Sequence, residues 1–205
     1  MSANTLLDWR RKVAAMYAEV RANPDPEAAH RAWQVTRNHL LASHPESPVP
    51  AIERAAFTGV PVARYDPGLR FSVRVDTDVD PIRIEVRTGT DGVVPFERAG
   101  VVHLPSVGDL DVWWLASYGG GVFVPIRDTR SDGATYPGGR YVIDTVKGAD
   151  LGGDDDYLVV DLNFAYNPSC AYDPAWACPL PPPGNVVPVA VNAGELMRPD
   201  PTWHH

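Results

Sequence analysis

Both cysteines of the chain lie in one proline-rich segment, residues 163–185, which reads NFAYNPSCAYDPAWACPLPPPGN. Cys170 and Cys178 have seven residues between them, which is not the two-residue spacing of common redox or zinc-binding pairs. The intervening residues could turn at Asp173-Pro174, so a disulfide is sterically possible. Three interpretations are open: buried structural thiols, a disulfide, or thiols that catalyse a reaction or bind metal. If the chain has a nucleophile, we expect it to be Cys170.

A second segment, residues 125–144, combines charged side chains with glycines in the sequence PIRDTRSDGATYPGGRYVID. It places two guanidinium groups, those of Arg127 and Arg140, near a flexible loop, where they can bind a carboxylate or phosphate in bidentate fashion. Asp128 could instead neutralise one of them in a structural ion pair. A ligand site and a structural corner are therefore both open here.

The polar residues of these two segments, together with Glu195, supply a candidate site. Carboxyl and phenol groups can transfer protons where burial shifts their pKa, and Asp161 is a further candidate for this role. Tyr and Asn side chains can equally satisfy buried backbone groups. We expect no metal site, because the acidic turn GGDDDY lacks the alternate-position spacing of a calcium loop. The predicted catalytic residues are Asp128, Tyr136, Cys170 and Glu195, and the predicted ligand-binding residues are Arg127, Arg140, Tyr141, Asp161, Asn163, Tyr166 and Asn167.

The charge of the chain argues against nucleic acid as a partner. Among its 205 residues, 18 Lys and Arg against 26 Asp and Glu give a net charge of −8. Binding to phosphates needs clustered basic residues, whereas those of this chain are scattered. No apolar run is long enough to cross a bilayer, and the N-terminus lacks the pattern of a signal peptide. We therefore expect a cytoplasmic protein with no nucleic-acid or membrane partner.

The secondary structure that the sequence predicts changes from helix to strand along the chain. Apolar residues recur near the 3.6-residue period over the first forty-odd residues, which predicts two helices in a hairpin. Asp25 is the expected N-cap and Pro26 the expected first residue of the second helix, which Pro45 ends. From Phe57 onward, short alternating runs bounded by turn residues predict a mainly β fold, an antiparallel β-barrel or sandwich of about 8–10 strands. The predicted division is residues 1–45 for the helical hairpin packed on the barrel and residues 46–205 for the barrel or sandwich domain with its proline-rich segment.

Four blocks of the sequence resemble, in the same order, those of the bacterial domain-of-unknown-function family 1684. They are HPESP, FTGVPVARYDPGLRF, FVPIRDTRSDGATYPGGRY and DLNFAYNPSCAYDPAWACPLPPPGNVVPVAVNAGE, within residues 33–195. Pro137 stands where the family pattern has a glycine. The resemblance implies no activity, but its most characteristic blocks are the two segments selected above on chemical grounds.

Three functional hypotheses follow from these residues. The first is a small-molecule enzyme or ligand-binding protein whose arginines bind an anionic group at the mouth of a β-barrel. The second is a non-catalytic structural or protein-interaction module, in which the polar residues anchor the proline-rich segment. The third is a flavin-binding split barrel. We favour the first, with a small-molecule ligand as partner, and leave the cofactor, the reaction and a homodimer open.

Overall fold

Two helices open the chain in a computed structural model that describes residues 2–89, 92–129 and 133–197. Helix α1 spans Ala3–Ala22 and helix α2 spans Pro26–Ser43. In the part of the chain that is described, no helix is both long and apolar enough to cross a membrane. The helices contact each other and form the predicted hairpin.

The turn between the helices begins α2 as the sequence predicts. The carboxylate of Asp25 accepts hydrogen bonds from the backbone N–H groups of Glu27 and Ala28, which would otherwise lack partners. Pro26 lies in the first turn, where its missing N–H breaks no helical hydrogen bond. Helix α2 ends with His44 as its C-cap, directly before a proline.

Seven described strands pair antiparallel in two sheets. The larger sheet has the strand order β2-β3-β4-β5-β6, and the smaller one pairs β1 with β7. The connections in the larger sheet therefore join neighbouring strands. The strands are β1 (Arg70–Arg74), β2 (Arg83–Thr88), β3 (Gly92–Leu104), β4 (Gly108–Leu115), β5 (Val122–Ile126), β6 (Arg140–Asp144) and β7 (Tyr157–Asp161).

The prediction of a mainly β chain with an N-terminal helical hairpin is confirmed, but the described strands do not close into a barrel and number fewer than eight. The run FTGVPVARYD, residues 57–66, lies in the region that we predicted to form strands, but it forms only an isolated bridge between Val62 and Glu195. Two of its residues explain the difference. Gly59 has a φ of +109°, outside the β region, and Pro61 has no N–H to donate to a ladder.

The helices and the strands share one hydrophobic core. Val13 and Tyr17 of α1 and Trp33 of α2 pack in the same buried cluster as Leu110 of β4 and Val142 of β6. Every residue of β6 is buried, as expected for a strand that is covered on both faces. The helical hairpin therefore covers apolar surface that the sheet would otherwise expose to water.

The proline-rich segment crosses the larger sheet and is held by side chains of that sheet. We call residues 168–185 the strap. The amide of Asn185 donates hydrogen bonds to the carbonyls of Asp111 (2.8 Å) and Pro125 (2.9 Å), and its oxygen accepts one from the Trp113 indole N–H (2.8 Å). A Cβ at Gly139 would lie 2.4 Å from the ring of Pro181, so a glycine lets the strap approach this closely.

Candidate functional site

A cavity of about 220 Å³ lies between the larger sheet, the strap and the start of α1. Its sheet wall is mostly apolar and includes three aromatic side chains, those of Phe96, Phe123 and Tyr141. The rings of Phe96 and Phe123 meet edge to face at 5.5 Å, and those of Phe123 and Tyr141 at 4.7 Å, so each ring is held by its neighbour. The lining also includes residues of β3 and β4 (Val94, Leu115), of α1 (Leu6, Trp9, Arg10), of the segment after α2 (Glu46), of the strap (Trp176, Cys178, Pro179), and of the end of β6 and the turn after it (Asp144, Lys147).

Hydrogen bonds hold the strap over this cavity without filling it. The Tyr141 hydroxyl donates to the carbonyl of Pro179 at 2.7 Å. The N–H of Gly89, at the end of β2, donates to the carbonyl of Ala177 at 3.1 Å. The strap is thus fixed at two places on the cavity rim, one on β6 and one beside β2.

Two cationic side chains, those of Arg10 and Lys147, line the cavity beside the short turn Thr145–Lys147. The guanidinium of Arg10 donates a hydrogen bond to the carbonyl of Val146. Lys147 follows directly in the chain, its side chain is 46% exposed, and its Nζ lies 3.8 Å from a carboxylate oxygen of Asp144. Arg10 and Lys147 therefore both line this cavity, and the carboxylates of Asp144 and Glu46 belong to the same lining.

The two thiols lie together where the strap meets the cavity. Cys178 lines the cavity wall, and the backbone N–H of Cys170 donates a hydrogen bond to its sulfur at 3.3 Å. A hydrogen bond from the Cys170 thiol, that backbone bond and the charge of Lys147 lower the pKa of Cys178 to about 6. The same thiol–thiol hydrogen bond, together with burial, raises the pKa of Cys170 above its ordinary value. The hydroxyl of Tyr136 lies 3.6 Å from the Cys170 sulfur, and burial raises the pKa of this phenol.

The predicted anion-binding arginines lie outside this cavity. Arg140 is 1% exposed and donates hydrogen bonds to the backbone carbonyls of Val191, Ala193 and Glu195. Its guanidinium also pairs with Asp128 at 3.1 Å. The side chain of Arg127 is exposed, while its backbone pairs with residues just past the strap. This contact is a structural ion pair between Asp128 and one arginine, which was the alternative to a ligand site in this segment.

A second buried network surrounds Glu195. Its carboxylate accepts hydrogen bonds from the Arg37 guanidinium, from the N–H of Asn167 (2.7 Å) and from the Tyr172 hydroxyl (3.1 Å). The Arg37 guanidinium also lies 4.6 Å from the centroid of the Tyr166 ring. Glu195 and Asn167 therefore meet Arg37 inside the molecule, where they tie the C-terminal residues to α2. Arg37 lies within the periodic pattern that predicts α2, and that pattern carries no information about which residue Arg37 pairs with.

Asp161 and Asn163 form a third group, at the end of β7. The Asp161 carboxylate accepts hydrogen bonds from the backbone N–H (3.0 Å) and the side-chain amide (2.8 Å) of Asn163. Asn163 also bonds both backbone groups of Asp66, each at 2.8 Å. Burial raises the pKa of Asp161, although these bonds partly oppose the shift. This group fixes the start of a short 3-10 turn and lies away from the cavity lining.

The two segments selected from the sequence do meet, but their polar residues divide among these separate groups. Tyr141 pairs through its backbone with Tyr166, with N–H to carbonyl distances of 2.9 Å in both directions. Of the predicted site residues, Tyr141 lines the cavity, while Tyr136 and Cys170 adjoin it through the thiols. Among the described residues, no cluster of His, Cys, Asp and Glu could hold a metal ion. The residues that sequence reasoning missed are Arg10, Phe96, Phe123, Lys147 and Cys178, and of these only Cys178 stood in a selected segment.

Comparison with known proteins identifies relatives of the chain. A family model described as "Protein of unknown function (DUF1684)" matches residues 55–196. The chain is also similar to an uncharacterized protein of Haloarcula marismortui, solved by solution NMR, with 30% sequence identity and a TM-score of 0.59. That similarity covers 83% of this chain and 93% of the other. No curated protein matches the chain, and neither description names a ligand or an activity.

Proposed function

The chain belongs to the DUF1684 family, and we propose from the cavity beneath its strap that it binds a small molecule with an apolar body and an anionic end. The observation that carries this proposal is the coincidence of an aromatic wall and a cationic end in one cavity. Ligand sites are typically concave and mostly apolar, with a few polar groups that fix orientation. At about 220 Å³, the cavity suits a ligand below drug size.

The aromatic wall would bind the body of the ligand. Phe96 and Phe123 are 1% and 2% exposed, and their edge-to-face packing leaves them little freedom to collapse into the cavity. Aromatic side chains that are already ordered lose little conformational entropy when a ligand binds. A flat apolar ring or a short alkyl group is the chemistry that such a wall accepts.

The cationic end would bind the anionic group. A guanidinium has five donor N–H groups, and Arg10 uses its Nη1 on the Val146 carbonyl. Lys147 is about half exposed, so its ammonium can turn from Asp144 towards a ligand at small cost. In this proposal Arg10 takes the role that the sequence gave to Arg127 and Arg140. Flavin binding and a protein-interaction surface stay predictions.

The test is calorimetric titration with naphthoate, a flat apolar anion, on wild type and on two matched valine variants. Val94→Trp places an indole in the cavity, whereas Val93→Trp changes the neighbouring residue, which is 50% exposed on the other face of β3. We expect Val94→Trp to weaken binding by about tenfold or more and Val93→Trp to leave it nearly unchanged. Equal binding by all three proteins, or no binding by wild type, would overturn the proposal.

Charge selectivity is tested by comparing naphthoate with neutral naphthamide. Lys147→Gln should weaken naphthoate binding by about two- to fivefold, as expected for a partly exposed ion pair, and naphthamide binding much less. The control is Lys12→Gln, because Lys12 is also on the surface and pairs with Asp8 of its own helix. Equal losses for the two ligands would contradict an anionic end at this turn.

A further inference from the structure

The two thiols are arranged as a pair with one member facing the cavity. The strap turns back between them at Asp173, whose carboxylate accepts the N–H of Ala175 (2.8 Å) and whose carbonyl accepts the N–H of Trp176 (3.1 Å). This turn brings the Cys178 sulfur to 3.3 Å from the backbone nitrogen of Cys170. These are the only two cysteines in the sequence, so any thiol chemistry of the chain belongs to them.

The surroundings of the two sulfurs differ in a way that assigns their roles. Cys178 lines the cavity and accepts a hydrogen bond from the backbone N–H of Cys170, whereas Cys170 is not in the cavity lining. The neighbouring Cys170 and the charge of Lys147 lower the pKa of Cys178, so Cys178 is the stronger thiolate at neutral pH. Cys170 keeps its proton, because a second negative charge beside the first is unfavourable and burial adds to this cost. The other ionisable groups near the pair are Tyr136 and Tyr141, and Asp144, Glu46 and Arg10 line the same cavity as Cys178. Burial raises the pKa of both phenols, so they stay neutral donors.

We propose that Cys178 and Cys170 form a thiol–disulfide exchange site whose substrate is a small-molecule disulfide entering the cavity. In the first step the Cys178 thiolate attacks one sulfur of the substrate. The substrate S–S bond breaks, a mixed disulfide forms on Cys178, and the other half leaves as a thiolate. In the second step Cys170 loses its proton to solvent and attacks the Cys178 sulfur. The second half then leaves as a thiolate, so the protein is oxidised to an intramolecular disulfide and the substrate is reduced to two thiols.

The cavity also indicates which disulfides would react fastest. The substrate has to bring a sulfur to Cys178 while its substituents occupy the aromatic wall and the Arg10–Lys147 end. Aromatic disulfides that carry carboxylates fit both features. This preference rests on the proposed ligand chemistry, whereas the exchange itself rests on the thiol pair alone.

The test uses dithiobis(nitrobenzoate), a coloured aromatic disulfide with two carboxylates, and mass spectrometry of the product. Wild type should release two thionitrobenzoate anions per chain, carry no adduct and lose two hydrogens. Cys170→Ser should release one anion and keep a mixed disulfide on Cys178. Cys178→Ser should react at least tenfold more slowly than Cys170→Ser, because its remaining thiol does not line the cavity and burial still raises the pKa of that thiol. The first-step rate of wild type should rise with pH around a midpoint of about 6.

Three outcomes would overturn the exchange site. One is a wild-type product that carries an adduct on each thiol, which means that the sulfurs cannot pair. Another is a Cys178→Ser variant as fast as Cys170→Ser, and a third is a rate midpoint near the ordinary thiol pKa of about 8.5. The product mass and the pH profile are measured on wild type alone. They therefore test the exchange site even if a variant folds poorly.

The disulfide experiment and the naphthoate titration test separate proposals, so either proposal can be overturned while the other stands. If the intramolecular disulfide forms but naphthoate does not bind, the exchange site stands and the ligand proposal falls. If naphthoate binds in the cavity but both thiols keep adducts, the ligand proposal stands and the exchange site falls.

Discussion

Arg140 and Asp128 form an ion pair whose side chains are only 2% and 3% exposed. The pair is satisfied on all sides, because Asp128 also accepts hydrogen bonds from Thr135 (2.8 Å) and from the N–H of Val191 (3.0 Å). Removing one partner of such a pair leaves the other charge buried and uncompensated. Removing the charge of Arg140 or Asp128 should therefore have its strongest effect on the free energy of unfolding.

We predict that Arg140→Ala lowers the free energy of unfolding by about 3–5 kcal/mol, because Asp128 and three carbonyls lose their donor. Arg127→Ala is the matched control in the same segment and should change it by about 0.5 kcal/mol or less, since that side chain is exposed. Denaturant unfolding at neutral pH measures both. A near-zero effect of Arg140→Ala would favour a free, ligand-binding guanidinium.

The contrast between Arg127 and Arg140 shows what residue types alone could predict. The sequence identified the segment and its charges, and it offered a structural ion pair with Asp128 as one alternative. It could not separate the two arginines, because burial is decided by residues far along the chain. For Arg140 these are Val191, Ala193 and Glu195, whose carbonyls receive the guanidinium.

At the scale of elements, the strap depends on Asn185. This side chain is fully buried and satisfies three groups of the larger sheet, namely the Trp113 indole N–H and the carbonyls of Asp111 and Pro125. Prolines remove backbone donors from the strap, so side-chain hydrogen bonds have to supply part of its attachment. Asn185 thus fixes the end of the strap while the cavity lies under its middle.

We predict that Asn185→Ala destabilises the protein by about 3 kcal/mol or more, since three buried polar groups lose their partner at once. Asn4→Ala, on the exposed first turn of α1, should cost less than about 0.5 kcal/mol. Both values come from denaturant titration followed by fluorescence. Equal values for the two variants would mean that the strap is attached mainly by other contacts.

The elements themselves were predictable to different degrees. The start of α2 followed from Asp25 and Pro26, because a cap and a first-turn proline are local signals that act within one helical turn. The prediction of a strand around Pro61 was wrong. The apolar residues of this run are typical of a strand, but Pro61 has no backbone N–H to donate to a neighbouring strand. The course of the strap over the sheet had no local signal beyond its prolines.

At the scale of the whole molecule, the helical hairpin completes the core of the sheets. Met16 and Trp33 are 3% and 1% exposed and pack in the cluster that contains the central strands. The Arg37–Glu195 pair adds a buried polar link between α2 and the C-terminal residues. Without the hairpin, the apolar cluster would be exposed to water. The Glu195 carboxylate would lose Arg37 as its partner.

We predict that a fragment comprising residues 46–205 does not fold alone, whereas the full chain unfolds in one cooperative transition. The reason is the large apolar area that α1 and α2 bury on the strands. Near-ultraviolet circular dichroism and amide chemical-shift dispersion measure this for the fragment beside the intact protein. A fragment with native dispersion and a sharp transition would show that the predicted division at residue 46 separates independent domains.

The candidate site was only partly predictable because its residues come from separate elements. Cys178 and Tyr141 lie in the selected segments. Arg10 lies on α1 and Lys147 lies in a short turn, and neither position differs in sequence from an ordinary helix surface or turn. The aromatic wall also had no signal of its own. Phe96 and Phe123 look like core residues of any strand, and only the position of the strap leaves space beside them.

A crystal structure of the wild-type protein with naphthoate would test the central claim most directly. Our account predicts the naphthalene ring against Phe96 and Phe123, under the strap, with the carboxylate within hydrogen-bonding distance of Arg10 or Lys147. A strap that closes the cavity, or naphthoate bound only at another surface while the cavity stays empty, would contradict the account.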